Sequence, residues 1–167
     1  MPTEPAHSCF QQIINHLALQ YDAPVFKPHV TIHVSEDHAH AAQALTDAAR
    51  KCTSIRLTPV GIDQSDEFIK TLFVQFALSA ELPRLNEIIG NAAHDSLRYE
   101  LKPHLSLLYK NLAAATRREL AASINVPLSE VTFDAIKAVR CVSPTKSGAD
   151  VKAWHVVAAA SLSGNRV

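Results

Sequence analysis

The segment Lys102-Pro103-His104-Leu105-Ser106-Leu107 repeats, 75 positions on, the pattern of Lys27-Pro28-His29-Val30-Thr31-Ile32. In a strand, residues two apart share a face. His29, Thr31 and His33 would therefore lie opposite Val30, Ile32 and Val34, and His104 and Ser106 opposite Leu105 and Leu107. Two such strands side by side would bring two imidazoles and two hydroxyls into one cleft, and that set suits acid–base work on a phosphate. One neutral imidazole can take a proton from attacking water, and the other, protonated, can give one to the departing oxygen. An ordinary imidazole pKa of about 6.5 leaves both forms accessible near neutrality. Thr31 and Ser106 can donate hydrogen bonds to the non-bridging oxygens as charge builds there. The scheme calls for no metal and no cofactor.

The elements that must position these residues follow from the hydrophobic pattern. Residues 1–7 read as a loose start, and Ser8 as the cap of a helix from about Cys9 to Gln20, with Phe10, Ile13, Ile14 and Leu17 on one face. The first histidine strand runs from Pro28 to about Val34, and a helix follows over Asp37 to Lys51. Ser54–Gly61 and Phe68–Leu78 read as strands, with the polar turn Gly61–Asp66 between them. A helix is expected from about Glu81 to His94, then the second histidine strand from Leu101 to Tyr109, then a helix from Ala113 to Ile124. Ser129–Val142 and Val151–Leu162 read as the last strands, joined by the loop 143–148.

Each half thus reads as helix, histidine strand, helix, strand, strand. The expected fold is α+β, one bilobal domain over 1–167 with duplicated halves at roughly 8–79 and 80–162. Each pseudo-symmetric lobe would carry an antiparallel sheet and flanking helices around a central cleft holding the two histidine motifs.

A hydrophobic content of 47 % with 19 % charged residues is that of a globular chain. Sixteen basic and sixteen acidic side chains cancel, so no overall field would hold a long polyanion. Cys9, Cys52 and Cys141 fit neither a disulfide framework nor a zinc spacing and point to a reducing compartment. No signal peptide is visible and no apolar run reaches membrane-spanning length, so the expected setting is the cytoplasm, with no membrane partner and a monomeric chain.

The paired motifs, the second read as Pro103-His104-Leu105-Ser106-Leu107-Leu108-Tyr109, resemble the two signatures of the two-histidine phosphoesterase superfamily, closest to its cyclic nucleotide phosphodiesterase branch. That resemblance implies metal-independent hydrolysis of a small cyclic phosphodiester to a phosphomonoester. In that branch the substrates are nucleoside 2′,3′-cyclic phosphates and ADP-ribose 1″,2″-cyclic phosphate. It makes His29 and His104 the acid–base pair and Thr31 and Ser106 the phosphate holders. Tyr109 matches an aromatic position that stacks on the base, which requires the strand to bend or end before it. Members usually open with a strand that forms part of the cleft, and Met1 to His7 are poor in strand formers.

His33 follows Thr31 on the same side and is a candidate to line the cleft. His33, His38 and His40 with Glu36 and Asp37 lack the spacing of a metal site and read as a solvated helix start. Arg117-Arg118 reads as a solvated helix face, and Lys137, Arg140, Lys146 and Lys152 as outward positions or a basic rim. Lys27 and Lys102 could steer a phosphate, and Trp154 reads as core or a lobe edge. The competing functions are an enzyme of RNA ends, opening 2′,3′-cyclic phosphates or joining 2′,5′ bonds, a nucleotide-binding module without turnover, and a metal-dependent phosphodiesterase.

Overall fold

The computed structural model describes residues 1–35, 40–93 and 100–163. In order the elements are α1 (Ala6–Tyr21), α2 (Ala41–Lys51), β1 (Ile55–Leu57), β2 (Pro59–Gln64), a 3₁₀ turn at Phe68–Lys70, β3 (Leu72–Phe76), α3 (Glu81–Ala92), β4 (His104–Leu108), α4 (Ala114–Ser123), β5 (Val131–Phe133), β6 (Ala135–Arg140), α5 (Gly148–Lys152) and β7 (His155–Ser161). The expected start of the second helix at Asp37 and end of the third at His94 lie outside the described residues.

The fold is α+β and two-lobed, and its ladders are antiparallel. One lobe is the sheet β2-β3-β4, with α1 packed on β4 and α4 on β2 and β3; the other is the hairpin β6–β7, covered by α2, on which α3 lies. The lobes exchange elements. The early hairpin β2–β3 accepts the late strand β4 and the late helix α4, while the late hairpin accepts the early helix α2. A short ladder of β1 on β5 ties the two halves together.

Two expected strands each divide, at Thr58 and at Asp134. Their first parts, β1 and β5, pair with each other, and their second parts turn outward into the hairpins. Pro59 has no N–H to offer the ladder it leaves, which is why the break falls there. The first half of each is buried and the second half largely open. Gly61–Gln64, expected as a turn, continues β2, and the reversal comes later, through Ser65–Thr71.

Residues 1–3 are not loose. Pro2 bridges Phe133, and the Thr3 N–H donates to the Thr132 carbonyl at 2.8 Å, adding a short extended segment to the other edge of β5. α1 begins before Ser8, at the position after Pro5, where a missing N–H costs nothing. Phe10, Ile14, Leu17 and Ala18 bury one face of α1. The helix ends at Asp22 in the left-handed conformation, φ 47°, where the Lys110 ammonium donates to its carbonyl at 2.8 Å. Arg117 is a brace rather than a solvated residue. Its Nε donates to Gln64 Oε1 at 2.8 Å and its Nη1 to the Leu112 carbonyl at 2.7 Å, fixing the start of α4 to β2.

Candidate active site

The first histidine motif is an extended segment rather than a named strand. It joins the free edge of β4 through the antiparallel bridge Val30–Leu105. Continuing that register one residue each way sets His29 across from Ser106 and Thr31 across from His104. Leu105 and Leu107 are fully buried, as the alternation requires, while Val34 is 58 % exposed, so the pattern fails after Ile32.

The Lys-Pro-His sequence acts through its backbone. His29 Nδ1 meets the Lys27 carbonyl at 2.7 Å, and His104 Nδ1 meets the Lys102 carbonyl at 2.8 Å. A carbonyl only accepts, so Nδ1 carries the hydrogen in both rings and the lone pair of the neutral imidazole sits on Nε2. Each ring is held by one nitrogen and leaves the other for chemistry. The side chains of Lys27 and Lys102 are exposed, and Lys102 pairs with Glu100 at 2.9 Å.

Both imidazoles are half-buried against aromatic rings. His29 lies edge-on to Phe26 at 6.4 Å and to Trp154 at 6.3 Å, and His104 edge-on to Phe73 at 5.4 Å. Burial pushes the pKa of His29 below the ordinary imidazole value; the Lys27 carbonyl opposes this, and nearby positive charge, that of His104 included, adds to it. Burial lowers His104 too, opposed by the Lys102 carbonyl, with Lys70 pushing further down and Glu67 up. Burial thus favours the neutral form of each ring, and a proton on His104 further disfavours a second one on His29.

The two hydroxyls are not equivalent. Thr31 is half-buried, and its hydroxyl has no hydrogen-bond partner among the described residues. Ser106 is buried and its Oγ donates to the Ile69 carbonyl at 2.8 Å. The 3₁₀ turn Phe68–Lys70 has folded over the face of β4 that alternation alone would leave open. β4 is therefore covered on both sides, and only His104 is part-exposed along it.

Tyr109, expected as a stacking platform, is 2 % exposed. Phe26 stacks on it at 3.7 Å, Phe68 and Trp154 close around it, and burial drives its phenol pKa up, opposed by the nearby Ser106 hydroxyl. It packs behind Phe26 and Trp154, the two rings that touch His29, and offers no open ring face. His33, expected to line the cleft beside Thr31, bonds Asn86 Oδ1 through its Nδ1 at 2.8 Å, and its ring lies against Gly90 of α3. Lys137, Arg140, Lys146 and Lys152 are all exposed.

Two residues of the site escaped sequence reasoning. Trp154, the chain's one tryptophan, stands half-exposed beside His29 and Tyr109, with its Nε1–H on Thr145 Oγ1 at 3.3 Å. It is placed by α5, a short helix that takes the end of the expected loop and the first two residues of the expected strand from Val151. The signal was the Ser-x-x-Asp run Ser147–Asp150, in which Ser147 Oγ accepts from the Asp150 N–H at 3.2 Å. Lys70 reaches the site from the 3₁₀ turn, with its ammonium 4.6 Å from the centre of the Phe73 ring. Among the described residues no group of three or more His, Cys, Asp or Glu could hold a metal; the expected histidine-rich helix start at 36–39 lies outside them. No helix among the described residues is long and apolar enough to cross a membrane.

Comparison with known proteins bears on the family and on the fold. A family described as cyclic phosphodiesterase-like protein matches residues 1–162. A cyclic phosphodiesterase of Arabidopsis thaliana is 24 % identical over 173 residues, covering 97 % of this chain and 92 % of the relative. The fold is similar to that of TT0787 of Thermus thermophilus, with a TM-score of 0.58 at 17 % identity, over 98 % of this chain and 95 % of that one. It is also similar to E. coli LigT solved with 3′-AMP, with a TM-score of 0.54 at 17 % identity, over 96 % and 94 % of the two chains.

Proposed function

The chain belongs to the cyclic phosphodiesterase-like protein family, and from that premise we propose that it hydrolyses a small nucleotide-derived cyclic phosphodiester to a phosphomonoester, with His29 and His104 as the acid–base pair. The resemblance carried by the two histidine motifs is thus borne out at the level of the family. The observation that carries the mechanism is the matched anchoring of the two rings. Each Nδ1 is spent on the carbonyl two residues back, each Nε2 is left, and the two segments are joined at Val30–Leu105.

In the reaction, water attacks phosphorus as one neutral Nε2 takes its proton. The ring P–O bond breaks, and the departing oxygen receives the proton of the other Nε2–H. The Thr31 hydroxyl donates to a non-bridging oxygen as its charge grows. Ser106 can join it only by leaving the Ile69 carbonyl. We read the chain as one bilobal unit with duplicated halves at roughly 8–79 and 80–162, so that each half supplies one histidine. Nucleoside 2′,3′-cyclic phosphate and ADP-ribose 1″,2″-cyclic phosphate are the substrates favoured, and the half-exposed Trp154 beside His29 supports a ligand that carries a base.

The test is a phosphorus NMR time course on both compounds with chelator present. Conversion to a monoester resonance supports the proposal; inert substrates at high enzyme concentration refute it.

The pH profile carries the signature of the two lowered pKa values. The base stays neutral to a lower pH than an ordinary imidazole would, and the acid loses its proton earlier as pH rises. The optimum of kcat/KM, which reports the free enzyme, therefore falls below about 6.5 and the rate declines through neutrality. An optimum well above pH 7 would contradict the burial of both rings. Stability follows the same sign. Imidazoles that are more easily deprotonated in the fold than in the open chain contribute stability fully present above the unfolded pKa, lost as pH falls through the folded one.

Trp154→Ala should raise KM for a nucleoside cyclic phosphate about tenfold with kcat nearly kept, because base stacking contributes about 1–3 kcal/mol. Steady-state kinetics on wild type, Trp154→Ala and Trp154→Phe check this, the phenylalanine recovering most of the loss. An unchanged KM removes Trp154 from the substrate's path.

A further inference from the structure

The 3₁₀ turn that crosses β4 is laced more tightly than a connection requires. Ser65 Oγ donates to the Lys70 carbonyl at 2.7 Å and accepts from the Glu67 N–H at 3.3 Å. Thr71, 2 % exposed, donates to the Lys110 carbonyl at 2.6 Å and accepts from the Lys110 N–H at 3.2 Å, so the turn is tied to the end of the histidine strand. Ser106 ties it a second time, through Ile69. This frame presents Lys70 to the site. Its ammonium lies over Phe73, the ring that contacts His104.

Among the described residues no carboxylate forms an ion pair with it, and Glu67 on the same turn is exposed. A ring face alone is a weak partner for an ammonium, contributing about 0.5–1 kcal/mol at an exposed site. The cation is held near the imidazole on a rigid support without an ion-pair partner among the described residues, and the Glu67 carboxylate, which acts on His104 in the opposite sense, stays on the solvent side of the turn.

We propose that Lys70 is a substrate-binding residue whose ammonium takes a non-bridging phosphoryl oxygen beside His104. The inference rests on the phosphodiesterase reading and deepens it. A cyclic diester carries one negative charge and the monoester product about two at neutral pH, so charge grows on the phosphate as the ring opens. A preorganised cation there binds the later states more strongly than the substrate, which is what accelerates a reaction. The same charge disfavours protonation of His104. An anion seated between Lys70 and His104 relieves that pressure and lets the ring carry a proton.

The test compares wild type with Lys70→Met, which keeps a flexible chain over Phe73, with Lys70→Gln as a second neutral variant should the first fold poorly, and with Lys70→Arg. Calorimetry with adenosine 2′-monophosphate and with uncharged adenosine separates charge recognition from base recognition. The neutral variants should lose about tenfold in monophosphate affinity, as expected for removal of one charged hydrogen bond, with adenosine affinity unchanged. Their kcat on the cyclic phosphate should fall further than KM rises, and Lys70→Arg should recover most of both losses. Monophosphate affinity equal to wild type in a folded neutral variant overturns the assignment, even if wild type turns over the cyclic substrate. Lys70-dependent binding of the monophosphate by a wild type that hydrolyses neither cyclic compound would support Lys70 and reject the reaction.

Discussion

His29→Ala and His104→Ala will each lower turnover of a cyclic phosphodiester by about 10²- to 10⁴-fold, the contribution a positioned acid or base makes. The double variant will lose little more than the worse single one, because the two rings act in one proton relay and their effects do not add. The fold should survive either change. Both rings are half-buried, and the carbonyls they release belong to Lys27 and Lys102, residues that already face solvent. Thermal unfolding within a few degrees of wild type, together with the kinetic loss, is therefore the expected pair of results. Free imidazole in the assay offers a further readout, since a small base can occupy the space each ring vacates. Retention of wild-type turnover in either variant would end the acid–base assignment.

The pairing of the two motifs was legible because it rests on local features: repeated residue types, the period of two in Leu105 and Leu107, and prolines that start each segment. The helices were legible too, as spaced apolar faces such as Phe10, Ile14 and Leu17. Periodicity could not show what covers an alternating strand. Ser106 reads as open from its own strand, but Ile69, 37 positions earlier, arrives over it by a turn whose stability lies in Ser65 and Thr71. The family resemblance makes Tyr109 a platform, yet Phe26 already occupies one of its faces. The division of two long strands at Thr58 and Asp134 was hidden for the same reason, because each piece is continuous with its neighbour in hydrophobicity and differs only in which partner it meets. The repeated lysines drew attention to their side chains, while the repeat also preserves a carbonyl in front of each histidine, and any residue type supplies one. The proline after each lysine is more informative, since its fixed φ sets the turn that brings that carbonyl to Nδ1.

The near-symmetry of the motifs ends at their hydroxyls, and this sets the second large effect. Thr31→Val removes a hydroxyl that no described residue engages, and replaces it with a methyl of the same shape. If Thr31 donates to the phosphoryl oxygen, kcat should fall about 10²- to 10³-fold, the loss seen when one donor to a developing oxyanion is removed, with little change in stability. Ser106→Ala should show the reverse balance. Its proton is committed to the Ile69 carbonyl, so the larger loss is structural, about 1–3 kcal/mol for a buried polar group left without its partner, and the kinetic loss is smaller. Measuring kcat and thermal unfolding on both variants separates the two roles. Equal kinetic losses at unchanged stability would mean that substrate draws Ser106 away from Ile69 and restores the symmetry of the two motifs. A Thr31→Val enzyme with wild-type kcat would leave the developing charge to Lys70 and the protonated imidazole alone.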